Sequence, residues 1–172
     1  MQEHDGICCL SRYIAMLVLA VIGAGFSPAN AATLVVTNPN DSGPGSLRQA
    51  IADAEVGGLI GFDPSLSGAT IYLASTLTVD KGLTIDGSML TSKITLSGDS
   101  DANGTADVRV LHTTAVDPIT LKNLVITRGY TTNAGGGVRA SGANLAIVNS
   151  RIMASTARNG AGIFSEGDAI AI

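Results

Sequence analysis

Short apolar segments recur along the second half of the chain at a nearly constant spacing. Four triplets, each with two large apolar residues around a small or polar one, begin at positions 94, 119, 145 and 170. They are Ile94-Thr95-Leu96, Ile119-Thr120-Leu121, Leu145-Ala146-Ile147 and Ile170-Ala171-Ile172. A similar triplet, Ile71-Tyr72-Leu73, precedes the first of them at a slightly shorter spacing. Alternation of this kind is typical of a strand with one buried face.

Two further sets of short segments fall between the triplets. The second set comprises Leu124-Val125-Ile126 and Ile152, and the third comprises Gly135-Gly136-Gly137-Val138 and Gly160-Ala161-Gly162-Ile163. Asn123 and Asn149 precede the second set and are separated by one repeat. We expect these two asparagines to stack in a turn, where their amides satisfy backbone groups. Each repeat therefore predicts three short strands separated by turns.

A repeat of about 25 residues with three short strands cannot bury its apolar side chains alone. If each unit winds one turn of a wide coil, equivalent strands pair in parallel at a spacing of about 4.8 Å. The aliphatic side chains then stack inside the coil as ladders. Parallel crossovers favour a right-handed sense. We therefore predict an all-β, right-handed parallel β-helix in which Ile94, Ile119, Leu145 and Ile170 occupy neighbouring layers.

Two other folds explain the pattern less well. Leucine-rich repeats have a similar length, but they need a fixed run of leucines that this chain lacks. A β-sandwich also contains many short strands, but it does not explain a constant offset between equivalent segments. The β-helix is therefore the preferred architecture, with the β-sandwich as its alternative.

The two ends of the coil are expected to differ. Ser46-Leu47-Arg48-Gln49 has the pattern of a helix capping box, and Leu47, Ala50, Ile51 and Ala54 fall on one face. We predict a short helix from Ser46 to Glu55 within an N-terminal cap, residues 32–70. The rungs then occupy residues 71–172 and finish in the repeat register, without a C-terminal cap. The expectation is an incomplete β-helix, the front part of a longer protein, which self-associates through its bare last rung.

Residues 1–31 predict a secretory signal peptide. The segment from Tyr13 to Phe26 carries no charge, and Ala29-Asn30-Ala31 provides an A-x-A cleavage site. Arg12 is the only basic residue before the apolar run, so an uncleaved anchor is the alternative. Both cysteines, Cys8 and Cys9, precede this run, which leaves residues 32–172 without a disulfide framework.

Composition and charge narrow the function classes. The chain has 21 glycines, three phenylalanines and no tryptophan, so its core must be built from aliphatic residues. Residues 32–107 carry nine acidic and three basic side chains, whereas residues 108–172 carry three and six. Residues 108–172, the basic half, are suited to bind an anionic polysaccharide or a membrane surface. The simpler interpretation is that these charges lie on solvated turns. No aromatic-plus-basic platform for nucleic acid is present.

Several segments together carry a family resemblance. They are "VVTNPNDSGPGSLRQAIADA" (35–54), "FDPSLSGATIYLASTLTV" (62–79), "LTIDG" (83–87), "ITLSGDSDANGTADVRVL" (94–111), "NLVITRGY" and "GGGV". The chain resembles bacterial right-handed β-helix surface proteins of the polymorphic outer-membrane-protein-like and choice-of-anchor groups, within the pectin-lyase-like superfamily. The resemblance implies export, a β-helix and a large secreted or cell-surface protein. In longer members a C-terminal anchor or autotransporter barrel follows.

The motif "DSDANGTAD", residues 99–107, predicts a calcium-binding turn. It matches D-x-D-x-N-G, the first half of a loop that binds calcium through oxygen atoms. The predicted ligands are Asp99, Asp101, Asn103, Thr105 and Asp107. Val110 occupies the twelfth position, where an EF-hand has glutamate, so an EF-hand is not expected. The alternative is a solvated loop rich in ordinary turn residues.

No catalytic residue is assigned. His112 is the only histidine after residue 31, and it is expected to be a turn or surface residue. Asp80 and Asp86 show no pairing pattern that would support glycoside cleavage. The favoured function is an adhesin-like structural module of the cell surface, whose partners are surface glycans or a host or neighbouring cell. A polysaccharide lyase or glycoside hydrolase, or a non-catalytic carbohydrate-binding module, is the alternative.

Overall fold

The protein is described by a computed structural model that covers residues 32–142, 144–166 and 170–172. The predicted signal peptide, residues 1–31, lies outside the described residues. In the part of the chain that is described, every pairing between strands is parallel. The strands form three sheets, which we name A, B and C.

The strands are short and recur in a fixed order along the chain. Sheet A contains β1 (Thr33–Val36), β2 (Gly58–Phe62), β5 (Leu83–Asp86), β8 (Ile119–Lys122), β11 (Leu145–Val148) and β14 (Ile170–Ala171). Sheet B contains β3 (Thr70–Tyr72), β6 (Ile94–Ser97), β9 (Leu124–Thr127) and β12 (Arg151–Met153). Sheet C contains β4 (Leu77–Val79), β7 (Leu111–Thr113), β10 (Val138–Ala140) and β13 (Ile163–Ser165).

From β2 onward the chain visits sheets A, B and C in that order in each turn. A strand of one turn pairs with the equivalent strands of the turns before and after it. The result is a parallel β-solenoid of about five turns with one short helix. The predicted parallel β-helix, with three strands in each repeat, is therefore confirmed.

The core is a set of aliphatic ladders inside the coil. One ladder from each sheet shows the arrangement. Sheet A stacks Ile60, Ile85, Leu121 and Ile147, sheet B stacks Ile71, Leu96, Ile126 and Ile152, and sheet C stacks Leu77, Leu111, Val138 and Ile163. All but Ile152 and Ile163 are buried. Burial of each such side chain contributes about 1.5–3 kcal/mol, which compensates for the scarcity of aromatic residues.

The prediction that four triplets occupy neighbouring layers of one stack is correct for the last three triplets. It is wrong for the triplet that begins at Ile94. In sheet A, Leu145 pairs with Ile119 on one side and with Ile170 on the other. Ile94 belongs to sheet B instead, where it pairs with Leu124 and not with Ile119. Ile71 likewise lies in sheet B, but it pairs with Leu96 and not with Ile94.

Unequal corners explain this error. Thr84 pairs with Thr120, which places β5 and not β6 beside β8. The turn that begins at β5 is long because residues 87–93 separate β5 from β6 and residues 98–110 separate β6 from β7. In the next turn, only Asn123 separates β8 from β9. The spacing between Ile94 and Ile119 therefore does not correspond to a full turn, although it matches the spacing of the later triplets.

A short helix, α1 (Leu47–Asp53), precedes the first complete turn. The hydroxyl of Ser46 accepts a hydrogen bond from the backbone N–H of Gln49 at 3.2 Å, as the predicted N-cap requires. The reciprocal bond of a capping box is not made, because the Gln49 amide donates to Asp53 at 2.8 Å. The helix is also shorter than predicted at both ends, and β1 and β2 already belong to sheet A within the predicted cap.

The helix packs through the face that the sequence predicts. Leu47, Ala50, Ile51 and Ala54 are all buried. Two basic side chains, Arg48 and Lys81, attach it to the coil. The acceptors are Asp41 Oδ1 and the carbonyls of Ser75 and Thr76 for Arg48, and the carbonyls of Ala52 and Ala54 for Lys81. Lys81 thus satisfies carbonyl groups at the helix C-terminus, where a positive charge is favourable.

An asparagine stack forms the tight corner between sheets A and B. Asn123 and Asn149 both have positive φ, 63° and 47°. The Asn149 amide donates to Asn123 Oδ1 at 2.5 Å, and the Asn123 amide donates to the Gly87 carbonyl at 3.2 Å. The predicted stacking is therefore confirmed, and the Asn123 amide satisfies a backbone carbonyl as expected, whereas the Asn149 amide donates to the Asn123 side chain instead. Lys93 adds a charge-assisted bond to Asn123 Oδ1 at 3.0 Å and also donates to the carbonyl of Asn149.

Close packing of backbone segments in the corner between sheets B and C requires glycine at position 98. A Cβ atom on Gly98 would overlap the carbonyl oxygens of Val108 and Arg128. These atoms belong to two different turns and cannot swing away as a flexible side chain can. Gly61 in β2 is a contrasting strand glycine, because a Cβ there would meet no atom within 4 Å.

We expect Gly98→Ala to lower the free energy of unfolding by about 3 kcal/mol, since a methyl group must displace backbone from two turns. Gly61→Ala is the matched control and should change it by less than about 1 kcal/mol in either direction. Urea denaturation followed by circular dichroism measures both. Equal midpoints for the two variants would show that the corner yields and that its packing is loose.

Candidate functional site

The predicted calcium ligands lie in the long corner between β6 and β7. Asp99, Asp101 and Asp107 come together there, with one carboxylate oxygen of each within 4.8 Å of the other two. Asp99 is 1% exposed, whereas Asp101 and Asp107 are exposed to solvent. The corner is closed at its base by the backbone N–H groups of Asp107 and Val108, which both donate to the Gly98 carbonyl.

Asp99 organises the loop from its buried position. Its Oδ1 accepts the backbone N–H of Asn103 at 3.0 Å, and its Oδ2 accepts the N–H of Gly104 at 2.9 Å. Gly104 has φ of +95°, a conformation that few other residues adopt. The first aspartate of the D-x-D-x-N-G pattern therefore holds the turn from inside, a role that was not predicted from the sequence.

The exposed part of the loop is held by its own side chains. Asp101 Oδ1 accepts the N–H of Asn103 at 3.2 Å, and Asp101 Oδ2 accepts the Asn103 amide at 2.8 Å. The Asn103 Oδ1 atom accepts the backbone N–H of Thr105 at 2.8 Å and also its hydroxyl. The two predicted ligands Asn103 and Thr105 therefore contact each other and stabilise the turn.

Asp107 closes the cluster from the far side of the loop. Its Oδ2 accepts both the hydroxyl and the backbone N–H of Ser100, each at 2.8 Å. These two hydrogen bonds, the hydroxyl first, hold the pKa of Asp107 below its ordinary value. The carboxylate is therefore ionised at neutral and mildly acidic pH.

The donor set fits a hard divalent cation. Carboxylate oxygens are the preferred ligands of calcium. Each Asp99 oxygen accepts one N–H bond and keeps a second lone pair, whereas Asp107 Oδ2 already accepts two hydrogen bonds, so Oδ1 is the ligand atom that Asp107 offers. No Lys or Arg in the described residues forms an ion pair with these three aspartates. In the described part of the chain, three carboxylates thus lie close together and none of them is ion-paired.

A shallow groove lies beside α1 and holds the other acidic candidate. It has a volume of about 400 Å³ and is lined by Arg48, Ile51, Ala52, Thr78, Asp80 and Lys81. Both basic groups are engaged by carbonyl oxygens, as described above. Asp86 lies elsewhere, on β5, and forms an ion pair with Lys122 at 3.0 Å. The structure therefore does not bring Asp80 and Asp86 together as a pair.

A second cluster, on the outer face of sheet C, is not predicted by any motif in the sequence. His112 lies within β7 and not in a turn, and it pairs with Arg139 of β10. Ser141 follows the end of β10 and contacts His112. Glu166 follows the end of β13 and contacts Arg139. The contacts between successive layers of this cluster join residues 25–29 positions apart, so the cluster emerges only once the register of the strands is known.

The comparisons with known proteins leave the family open. No family model, curated protein or solved structure matches the chain. Within the described residues, no helix is both long enough and apolar enough to cross a membrane. Function must therefore be argued from the sites alone.

We expect Asp99→Asn to lower the free energy of unfolding by about 1–3 kcal/mol in the absence of added metal, because an amide NH₂ on a buried side chain would face a backbone N–H. Asp101→Asn, in the exposed part of the same loop, should cost less than about 1 kcal/mol. Urea denaturation in EDTA measures both. If the two variants match the parent protein, Asp99 does not organise the loop.

Proposed function

We propose that the chain is a structural, adhesin-like module of an exported bacterial protein, in which a regular coil displays loops at the cell surface or outside the cell. The observation that carries this proposal is the contrast between the coil and one of its corners. Equivalent strands of sheets B and C stack in register. The segment that joins sheet B to sheet C is short in one turn, residues 73–76, and long in the next, residues 98–110.

A regular coil with one long corner is better suited to displaying a loop than to enclosing a ligand in a pocket. The strands are fixed by pairing on both sides, so a longer corner projects outward without disturbing the ladders. Loops that a rigid scaffold positions are the usual location of binding residues. Residues 1–31 have the sequence pattern of a signal peptide, which supports export. Surface glycans, or a host or neighbouring cell, are the partners that this interpretation suggests.

Calcium is the cofactor that we propose for the longest corner. A cation bound by Asp99, Asp101 and Asp107 would offset their mutual repulsion and fix the loop that the coil displays. The residues already lie close to one another, so binding needs little rearrangement. Because Asp107 has a lowered pKa, this carboxylate stays available as a ligand under mildly acidic conditions.

About 5 mM calcium should raise the free energy of unfolding by about 1–2 kcal/mol, the range expected for an extracellular site of submillimolar to millimolar affinity. Asp107→Asn should remove most of this increase, whereas Asp117→Asn, an exposed acidic residue at another corner, should keep it. Thermal unfolding and isothermal titration measure the effect. No heat and no shift in melting temperature would exclude the calcium site but leave the display role standing.

Export is tested directly by producing the tagged full chain in a bacterium and separating its compartments. We expect the protein outside the inner membrane, accessible to added protease, with Ala32 as its first residue by mass spectrometry. A cytoplasmic protein that retains Met1 would contradict the proposal. A chain that is exported but not cleaved would support the anchor alternative over the signal peptide.

The enzymatic and carbohydrate-binding alternatives remain hypotheses of a different class. His112 and its neighbours are the observation that favours them, because a histidine, a hydroxyl and a carboxylate lie together on an exposed face. Release of unsaturated uronic acids from pectin or alginate would identify a lyase. Selective retention on a glycan array without such release would identify a binding module.

A further inference from the structure

The long corner between β6 and β7 contains an Asn-Gly pair, Asn103-Gly104, that is able to react with itself. In such a pair the backbone nitrogen of glycine attacks the side-chain amide carbon of asparagine, and a cyclic succinimide forms with loss of ammonia. The two reacting atoms here, Gly104 N and Asn103 Cγ, are tethered through the backbone of Asn103. Glycine has no Cβ to obstruct the attack. The groups that surround the pair therefore set the rate of the reaction.

A carboxylate is in place to take the proton of the attacking nitrogen. The Gly104 N–H donates to Asp99 Oδ2 at 2.9 Å, and the Asp99 side chain is buried. A carbonyl acceptor would only hold this N–H, whereas a carboxylate can also remove its proton, as a general base does. The distance lies within the range that such a transfer requires. The nucleophile is therefore hydrogen-bonded to a base in the folded chain.

Two donors face the oxygen on which negative charge would develop. Asn103 Oδ1 accepts the backbone N–H of Thr105 at 2.8 Å and also the Thr105 hydroxyl. Attack at Cγ converts this carbonyl oxygen into an oxyanion, and donors that are already oriented stabilise such a charge without reorganisation. Because Oδ1 reaches forward to residue 105, the amide group extends along the Gly104 peptide and not away from it.

The nitrogen that must leave is oriented as well. Asn103 Nδ2 donates to Asp101 Oδ2 at 2.8 Å, so the two ends of the amide are held by different neighbours. Both Asn103 and Asp101 are exposed to solvent. Water can therefore reach the amide carbon, and ammonia can escape from it.

We propose that this corner is a self-modification site, at which the folded chain converts Asn103 to aspartate or isoaspartate. Asp99 is the base that accepts the Gly104 proton. The backbone N–H and the hydroxyl of Thr105 stabilise the oxyanion. The reaction consumes water and releases ammonia, and it requires no other reactant.

The steps balance as follows in atoms and protons. The Gly104 proton passes to Asp99, the bond between Gly104 N and Asn103 Cγ forms, and the bond between Cγ and Nδ2 breaks. Nδ2 takes up the proton that Asp99 received and departs as ammonia. Water then adds to one of the two carbonyl carbons of the succinimide and opens the ring. Opening at Cγ gives aspartate, and opening at the backbone carbonyl carbon gives isoaspartate.

The product changes the charge of the corner. A fourth carboxylate would join those of Asp99, Asp101 and Asp107, where a neutral amide stood before. The number of charged ligands tunes the affinity of a calcium loop, so aspartate at position 103 would strengthen calcium binding. This consequence rests on the calcium site proposed above, whereas the reaction itself does not need the ion.

The second Asn-Gly pair of the chain, Asn159-Gly160, provides an internal comparison. Asn159 is exposed, as Asn103 is. Among the described residues, no carboxylate accepts the Gly160 N–H and no donor contacts the side-chain oxygen of Asn159. The two pairs are therefore alike in sequence and solvent exposure but differ in the base and the oxyanion donors.

Peptide mass spectrometry of the full chain, incubated in EDTA at neutral pH, measures both sites. Trypsin separates them, because it cuts after Lys93, Arg109 and Arg158. Conversion raises the mass of a peptide by the difference between an amide and an acid, and the succinimide lowers it by one ammonia. We expect Asn103 to convert at least about tenfold faster than Asn159 in the folded chain, and at a similar rate to Asn159 in urea.

Thr105→Val keeps the size of the side chain but removes its hydroxyl, so it should slow the conversion of Asn103 at least about tenfold. Thr114→Val, the same substitution at an exposed position after β7, should leave the rate unchanged. The comparison of folded and urea-treated parent protein does not require any variant to fold.

Three results would overturn the proposal. They are equal rates at the two pairs in the folded chain, faster conversion of Asn103 in urea than in the folded chain, and the parent rate in a folded Thr105→Val protein. A chain that converts Asn103 rapidly but gives no heat with calcium would support the self-modification site and exclude the calcium site, so the two proposals fail separately.

Discussion

The lateral pairing of each turn with the next is the constraint on which the structure depends. A single turn of three short strands has no partner for its backbone groups and no cover for its inward side chains. Stacking satisfies both at once, because the ladder hydrogen bonds and the aliphatic contacts run in the same direction along the coil. Every other feature, including the polar clusters, occupies positions that this stacking leaves free.

The repeat was predictable from the sequence wherever the corners are short. Ile119, Leu145 and Ile170 are separated by nearly equal corners, so their spacing in the sequence equals their spacing in the coil. Ile94 broke the rule because it lies in the second strand of its turn, and the long corner at residues 98–110 stretches its distance to Ile119 to the length of a repeat. Apolar alternation identifies a strand, but it carries no information about which neighbour the strand will choose. The register is fixed by corner length, which a search for constant offsets assumes.

The two polar clusters differ in predictability for a related reason. Asp99, Asp101 and Asp107 are close in sequence, and a local turn is enough to bring them together. The cluster around His112 draws on three successive turns, through Arg139 and Glu166. Neither residue is unusual in its local context. A cluster of that kind can be found from a sequence only after the layers have been aligned.

Lys93 changes what the stacking implies for mechanical behaviour. A coil in which each layer touches only its neighbours should peel apart one layer at a time when it is pulled along its axis. The ammonium group of Lys93 contacts both Asn123 and Asn149, which belong to the next layer and the one after it. This side chain therefore ties three layers together at one corner. Under tension that corner should resist as a unit, and extension would proceed in a larger step there than elsewhere along the coil.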